Sequence, residues 1–104
     1  MSDRDRRGAK RVGCFAEAEI EGIDVSHRQQ VRLADLSTGG AFIDVRTVLP
    51  TGTTARLRFT VLGRDISVLA EVRYSMPSFG MGVRFLDLRP EDQAFIEQFI
   101  SQQA

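Results

Sequence analysis

Apolar and polar residues alternate along most of the chain, which is the pattern of half-buried β-strands. The first alternation runs from Phe15 to Ile23, with glutamates opposite small apolar residues. Further strands are predicted at about 30–36, 41–45, 54–61, 66–73 and 80–85, with a loop at 74–79. Gly, Pro, Asp and Ser mark the turns. Six short strands at regular spacing favour an all-β domain, either an antiparallel barrel or a sandwich.

The period changes near the end of the chain. Pro90 suits the first position of a helix, and Glu91 and Asp92 suit the positive end of its dipole. The apolar residues that follow recur at helical spacing and form one stripe: Phe95, Ile96, Phe99 and Ile100. The pattern therefore predicts a C-terminal helix that packs on the β domain or on a partner chain.

The N-terminus has a different character from the rest of the chain. Residues 1–12 show no hydrophobic periodicity, and we predict a flexible arm there, followed by a single domain at 13–104. Up to residue 11 there are five cations and two acidic residues, which leaves nine cations and twelve acidic residues for the remainder. A basic arm on a slightly acidic body suggests an anionic partner. The alternative is a disordered start that is merely solvated.

The lengths of the apolar runs and the number of cysteines indicate the cellular compartment. The apolar runs are too short for a membrane span, and we see no signal peptide, so no membrane insertion is expected. Cys14 is the only cysteine, which fits a reducing compartment, and the cytoplasm is the expected location. We expect Cys14 to be a small core residue.

Residues for catalysis are scarce. His27 is the only histidine and lies in a polar loop, where we expect it to be exposed. The sequence has no zinc-ligand spacing, P-loop or dinucleotide fingerprint, and the row Glu17, Glu19 and Glu21 is best read as a solvated strand face. We therefore predict no catalytic residues, no metal and no cofactor.

The segment from Asp35 to Gly40 carries the most chemistry. Asp35 and Ser37 are two residues apart on a predicted strand end and should project together. Gly39 and Gly40 allow positive φ and close approach of a ligand to the backbone. A carboxylate, a hydroxyl and backbone N–H groups could bind a purine edge or a phosphate. The alternative is a plain β-turn with local hydrogen bonds.

Arginines on the arm complement this segment. Arg7 and Arg11 offer planar forks that grip phosphate or guanine, whereas Asp35 can accept from guanine N1–H and N2–H₂. Arg7-x-x-x-Arg11 followed by Asp35-x-Ser37-x-x-Gly40 resembles the PilZ domain family. The tail from Gly80 into the Pro90 helix is similar to PilZ sequences as well, so the resemblance covers about residues 6–101.

The resemblance implies a non-enzymatic receptor for the bacterial second messenger cyclic di-GMP. It implies a six-stranded antiparallel barrel of the split or Greek-key kind, an arm that closes over the ligand, and an unidentified downstream protein partner. The ligand-binding residues carried over are Arg6, Arg7, Arg11, Asp35, Ser37 and Gly40. Arginine before the first motif arginine, here Arg6, resembles members that bind an intercalated ligand pair. We expect Tyr74 to end a strand rather than to flank the ligand.

Two other functions stay open at this stage. One is a PilZ-type interaction adaptor that does not bind nucleotide. The other is a small barrel that binds single-stranded nucleic acid, which would need exposed aromatic platforms. There is one tyrosine and no tryptophan, and most phenylalanines fall on inward positions, so general nucleic-acid binding is not expected.

Overall fold

A computed structural model describes residues 10–23 and 28–103, so Arg6, Arg7 and His27 lie outside the described residues. These ranges contain six strands and one helix. The strands are β1 (Val12–Gly22), β2 (Arg28–Leu36), β3 (Gly40–Asp44), β4 (Thr54–Val61), β5 (Arg64–Met76) and β6 (Gly80–Phe85), and the helix is α1 (Pro90–Gln102). Within the described ranges, no helix is long and apolar enough to cross a membrane.

The strands close into a barrel in the order β1-β2-β3-β6-β5-β4, and every neighbouring pair is antiparallel. The predicted six-stranded antiparallel barrel is therefore confirmed. Because β4 pairs with β1 and β5 rather than with β3, the connection from Val45 to Thr53 crosses between non-adjacent strands. The predicted loop at 74–79 was wrong at its start, because β5 continues to Met76 and only three residues separate it from β6.

The apolar residues of the alternating pattern point into the barrel, as predicted. The buried core takes its apolar side chains from all six strands and from α1. From the strands with the clearest alternation these include Ala55, Leu57, Phe59, Val61, Ile66, Val68, Ala70 and Val72. Burial of branched and aromatic side chains supplies the main driving force for folding, at roughly 25 cal/mol for each Å² removed from water.

The helix is tied to the barrel by charge as well as by apolar contact. Ile96, Phe99 and Ile100 are buried in the core, and Phe95 packs against it. Asp92 is buried in the first turn, where its Oδ1 accepts a hydrogen bond at 3.0 Å from Arg64 Nε. A terminal nitrogen of Arg64 lies 3.0 Å from the same oxygen and completes the ion pair. The same guanidinium lies 5.3 Å from the centre of the Phe95 ring. The start of α1 is thus fixed to the start of β5.

The β4–β5 turn places a leucine in an unfavourable backbone conformation. Leu62 and Gly63 are the only residues between the two strands, and their φ angles are 50° and 81°. Two positive φ values are the mark of a type I′ hairpin, which favours Asn-Gly. Leu62 is 72% exposed, so burial of its side chain gives little compensation.

We predict that Leu62→Asn stabilises the protein by about 0.5–1 kcal/mol, because asparagine tolerates the left-handed region that costs leucine roughly 1 kcal/mol. Urea unfolding followed by circular dichroism measures the change. Leu86→Asn is the matched control, since Leu86 is also exposed but has no positive φ, and its stability should change by less than about 0.5 kcal/mol. A lower unfolding midpoint for Leu62→Asn would contradict the turn assignment.

Candidate ligand-binding site

One row of residues runs across five neighbouring strands on the outer wall of the barrel. Strand pairing aligns Gly13 with Asp35, Asp35 with Phe42, Phe42 with Gly82, and Gly82 with Tyr74. On β3 and β6 the residues directly before and after this row are buried, and on β2 the residue after Asp35 is buried. The row therefore lies on the outer face of the sheet. It brings the predicted carboxylate and two aromatic rings to one surface, which we call the outer row.

A β-bulge places Asp35 on this face. In a regular strand Asp35 would follow Leu33 into the core, since residues two apart share a face. The register with β3 shifts between Leu33 and Asp35, so Ala34 is an extra residue and Asp35 turns outward while Leu36 stays buried. The β1–β2 pairing shifts at the same place, between Gly13 and Ala16. Bulges commonly re-aim a side chain beside a functional site.

A second bulge acts in the same way on Tyr74. The β5–β6 register shifts between Val72 and Tyr74, with Arg73 as the extra residue. Val72 remains buried, whereas the Tyr74 side chain turns outward and is 48% exposed. The expectation that Tyr74 ends a strand was wrong, because Tyr74 lies within β5 and on the outer row. Alternation along the sequence could not indicate this position.

The two sequence motifs meet at Asp35. A terminal nitrogen of Arg11 donates to Asp35 Oδ1 at 2.7 Å, and the Phe42 N–H donates to the same oxygen at 3.0 Å. The second carboxylate oxygen accepts no hydrogen bond from the described residues. The Asp35 side chain keeps 27% of its surface exposed, so this oxygen can serve an incoming donor.

Ser37 has a different environment from Asp35. It follows the end of β2 and is 1% exposed. Its Oγ accepts from the N–H groups of Gly39 and Gly40 at 3.2 and 3.1 Å and donates to Gly40 O at 3.2 Å. The expectation that Asp35 and Ser37 project together was wrong, because the hydroxyl is turned into the loop. Ser37 holds the turn that joins β2 to β3.

Gly40 is required by the neighbouring strand. A Cβ on Gly40 would lie 2.0 Å from Val83 O and 3.1 Å from its carbonyl carbon. The expected positive φ is absent at both Gly39 and Gly40, since positive φ at glycine within the described residues occurs at Gly52 and Gly63. The absence of a side chain at Gly40 therefore lets β3 approach β6 closely, next to the outer row.

An open depression of about 520 Å³ lies beside the outer row. Its lining includes the Ser37–Ala41 turn region, Tyr74 and Gly82, together with the arginines Arg11, Arg73 and Arg84. Arg84 donates to Glu71 at 3.0 Å, so part of its charge is offset. Arg73 forms no salt bridge with the described residues. The depression has the positive charge and polar backbone that an anion needs.

The structure also places Cys14 and the row of glutamates on β1, which the sequence raised as a reactive thiol and a cation site. Burial raises the pKa of the Cys14 thiol, a hydrogen bond from Ala16 opposes this, and the nearby Asp35 charge adds to the rise. A raised pKa lowers the fraction of the thiolate, which is the reactive form, and Cys14 packs against the core as a partly buried residue. Of the three glutamates on β1, Glu19 and Glu21 pair with Arg28 and Arg58, which offsets part of the negative charge of this face.

The sequence and the fold both match known proteins. The family model for the PilZ domain matches residues 5–102. Among curated proteins, no sequence matches the chain significantly.

Solved structures share the fold at low sequence identity. The Bacillus subtilis inhibitor of motility MotI/DgrA superposes with a TM-score of 0.80 at 19% identity, over 94% of this chain and 50% of its own. Escherichia coli YcgR in complex with c-di-GMP gives 0.76 at 18% identity, over 94% and 46%. Borreliella burgdorferi PlzA, also in complex with c-di-GMP, gives 0.65 at 17% identity, over 96% and 38%. The chain thus spans about half the length of MotI and of YcgR, and 38% of the length of PlzA.

The two glycines of the Ser37–Gly40 turn give a matched test of this geometry. We predict that Gly40→Ala destabilises the protein by about 1–3 kcal/mol, because its Cβ would meet the backbone of Val83. Gly39→Ala is the control, since its Cβ would lie 4.0 Å from Ser37 Oγ, an ordinary contact. Thermal unfolding of both variants measures the difference. Equal melting temperatures would show that β3 and β6 do not approach as closely as described.

Proposed function

The chain belongs to the PilZ domain family, and on that premise we propose that it is a non-enzymatic receptor for cyclic di-GMP. The observation that carries the proposal is the contact between Arg11 and Asp35, because it joins the two separate motifs at 2.7 Å beside an arginine-lined depression. The c-di-GMP complexes of YcgR and PlzA support the choice of ligand.

The chemistry of these groups fits a guanine dinucleotide. Cyclic di-GMP carries two guanines and two phosphodiester anions. Asp35 accepts from guanine N1–H and N2–H₂, which a cation cannot do, and Arg11 exchanges Asp35 for a phosphate or for guanine O6 and N7. Exposed ion pairs contribute only about 0–1 kcal/mol, so this exchange costs little.

The remaining motif residues have distinct roles in this proposal. Arg6 and Arg7 close over the ligand from the arm and bind guanine and phosphate. Ser37 acts by holding the turn, and Gly40 by keeping the adjacent backbone close to β6, so that the turn's polar backbone faces the ligand. Arg6 favours an intercalated pair of ligands.

We further propose that closure of the arm changes the surface that a downstream protein partner recognises, in the cytoplasm. An adaptor that recognises its partner without nucleotide is the second candidate. The exposed arginines and the free carboxylate oxygen favour the receptor, because an adaptor needs neither group.

Arginine variants test the site. We predict that Arg11→Ala or Arg7→Ala weakens cyclic di-GMP binding by roughly 10-fold or more, because each removes charge-assisted hydrogen bonds. The melting temperature should stay almost unchanged, since Arg11 forms an exposed pair. Isothermal titration calorimetry measures the affinity, with GTP and cyclic GMP as ligand controls.

Arg46→Ala is the matched control, because Arg46 is an exposed arginine in the β3–β4 connection, away from the depression. It should bind like the parent protein. Normal binding by both arm variants would show that the arm is not the site. An absence of heat with the parent protein, together with partner capture that ignores the nucleotide, would favour the adaptor.

The number of ligands gives a separate prediction for Arg6. We expect two cyclic di-GMP molecules per chain in the parent protein, and one in Arg6→Ala, because Arg6 supports the second ligand of the pair. Stoichiometry from the same titrations, checked by native mass spectrometry, measures this. One ligand in both proteins would contradict the role of Arg6 and leave the receptor proposal intact.

A further inference from the structure

We infer that Phe15, in the bulge of β1, is a ligand-binding residue whose ring packs against the guanine that Asp35 binds. This inference rests on the proposed receptor function and extends it to a strand that carries neither motif beyond Arg11. The depression extends from the Ser37–Gly40 turn toward β5 and β6, and Phe15 does not line it. Phe15 therefore borders Asp35 on the opposite side, toward β1.

The backbone of Phe15 has an unfavourable conformation. Its φ is 55°, in the left-handed region that a bulky side chain seldom adopts. The side chain is 70% exposed, so burial does not compensate for this conformation. Backbone outliers of this kind cluster at binding sites, where the surrounding structure holds them in place.

The bulge separates Phe15 from the core. The register of β1 against β2 shifts between Gly13 and Ala16, so Cys14 and Phe15 together face a single residue of β2. Cys14 packs against the core, whereas Phe15 is left on the surface. A bulge can re-aim a side chain toward a functional site, and this one lies at the level of Asp35.

The Phe15 ring lies beside Asp35. Gly13 pairs directly with Asp35, so a Cβ on Gly13 would face the same side of the sheet as the Asp35 side chain. Cε2 of Phe15 lies 3.7 Å from that Cβ position, and the ring therefore covers the glycine on the outer face. Because the Cβ atoms of directly paired residues are about 4.5–5.5 Å apart, the ring is a neighbour of the carboxylate.

Arg11 and Phe15 border Asp35 from two directions along β1. Arg11 precedes Gly13 by two residues and donates to Asp35 Oδ1 at 2.7 Å, whereas the ring of Phe15 comes from the residues after Gly13. The second carboxylate oxygen accepts no hydrogen bond from the part of the chain that the structure describes. A base that donates to this oxygen meets a guanidinium on one side and an aromatic ring on the other.

This combination of groups fits a purine with donors on its edge. The carboxylate accepts from guanine N1–H and N2–H₂, while the aromatic ring and the guanidinium pack against the faces of the base. Loss of an aromatic ring that stacks on a base weakens binding by roughly 5- to 100-fold. An apolar contact with a protein partner would gain nothing from a carboxylate at its centre, because a buried unpaired charge is costly.

Leu62 offers a matched control for Phe15. It has a φ of 50° and is 72% exposed, so the two residues share the same backbone conformation and the same lack of burial. Leu62 lies in the β4–β5 turn and does not line the depression. Any effect of left-handed strain alone must therefore be the same at both positions.

Asparagine variants separate stability from binding. We expect Phe15→Asn and Leu62→Asn each to raise the melting temperature by roughly 2–8 °C, because asparagine tolerates the left-handed region. Isothermal titration calorimetry should show that Phe15→Asn weakens cyclic di-GMP binding by roughly 5- to 100-fold, whereas Leu62→Asn binds within about 2-fold of the parent protein. A variant that is more stable and binds more weakly has lost a ligand contact, since unfolding cannot explain both changes.

Two variants that keep the apolar character of the side chain test the ring itself. Phe15→Tyr retains the aromatic face and should bind within about 2-fold of the parent protein, whereas Phe15→Leu removes it and should weaken binding by roughly 5-fold or more. Neither change relieves the left-handed conformation, so their melting temperatures should stay close to that of the parent.

The composition of the chain allows a direct readout. The sequence contains no tryptophan, so Phe15→Trp and Leu62→Trp each introduce a single one, which selective excitation separates from tyrosine. Contact with guanine should quench the emission of Phe15→Trp, with the same saturation as in the calorimetric titration. The emission of Leu62→Trp should not change.

The outcomes distinguish the two proposals. Weaker binding by Phe15→Asn and Phe15→Leu, together with quenching in Phe15→Trp, supports the assignment of Phe15. Parent-like affinity of Phe15→Asn and Phe15→Leu overturns this assignment and leaves the receptor standing, as does unchanged emission of Phe15→Trp at saturating ligand. An absence of heat with cyclic di-GMP and the parent protein overturns the receptor proposal, and with it the role of Phe15.

Discussion

In a closed barrel each residue of a strand faces either the packed interior or the solvent. The pairing register with both neighbouring strands determines which of the two faces it takes. Asp35 and Tyr74 each stand two positions after a buried residue, yet their side chains face the outside of the barrel. They reach the surface because β2 and β5 each carry one extra residue next to the level of Phe42 and Gly82. The core on either side remains closed, so the site is gained without opening the barrel.

The glycines of this region matter through the volume they leave to their neighbours. Gly40 makes room for the carbonyl of Val83, and Gly82 makes room for the ring of Tyr74. Backbone freedom is not the reason, since neither residue has a positive φ. Both glycines line the depression between the Ser37–Gly40 turn and Tyr74, so the space that they leave lies in its wall.

Much of this could be predicted from the sequence. The alternation of apolar and polar residues predicts the six strands and their inward faces, and the change of period predicts the helix. The arginines of the arm and Asp35 have complementary charges, which agrees with the contact between Arg11 and Asp35. The local hydrogen bonds of Ser37 match the plain β-turn that the sequence offered as the alternative. The outward position of Tyr74 could not be predicted. The position of Tyr74 depends on the register shift in β5, which is decided by pairing with β6 and leaves no periodic signal in the sequence.

The position of the arm links the site to the helix. Lys10, next to Arg11, lies in a depression formed with Thr38 of the turn and with Glu97, Ile100 and Ser101 near the end of α1. The start of α1 is fixed by Asp92 and Arg64, so the last turns are the part of the helix that meets the arm. Lys10 is the neighbour of Arg11 in the sequence, and Arg11 contacts Asp35 on the outer row. The residues around Lys10 therefore connect the Asp35 carboxylate, through Arg11, with the end of α1.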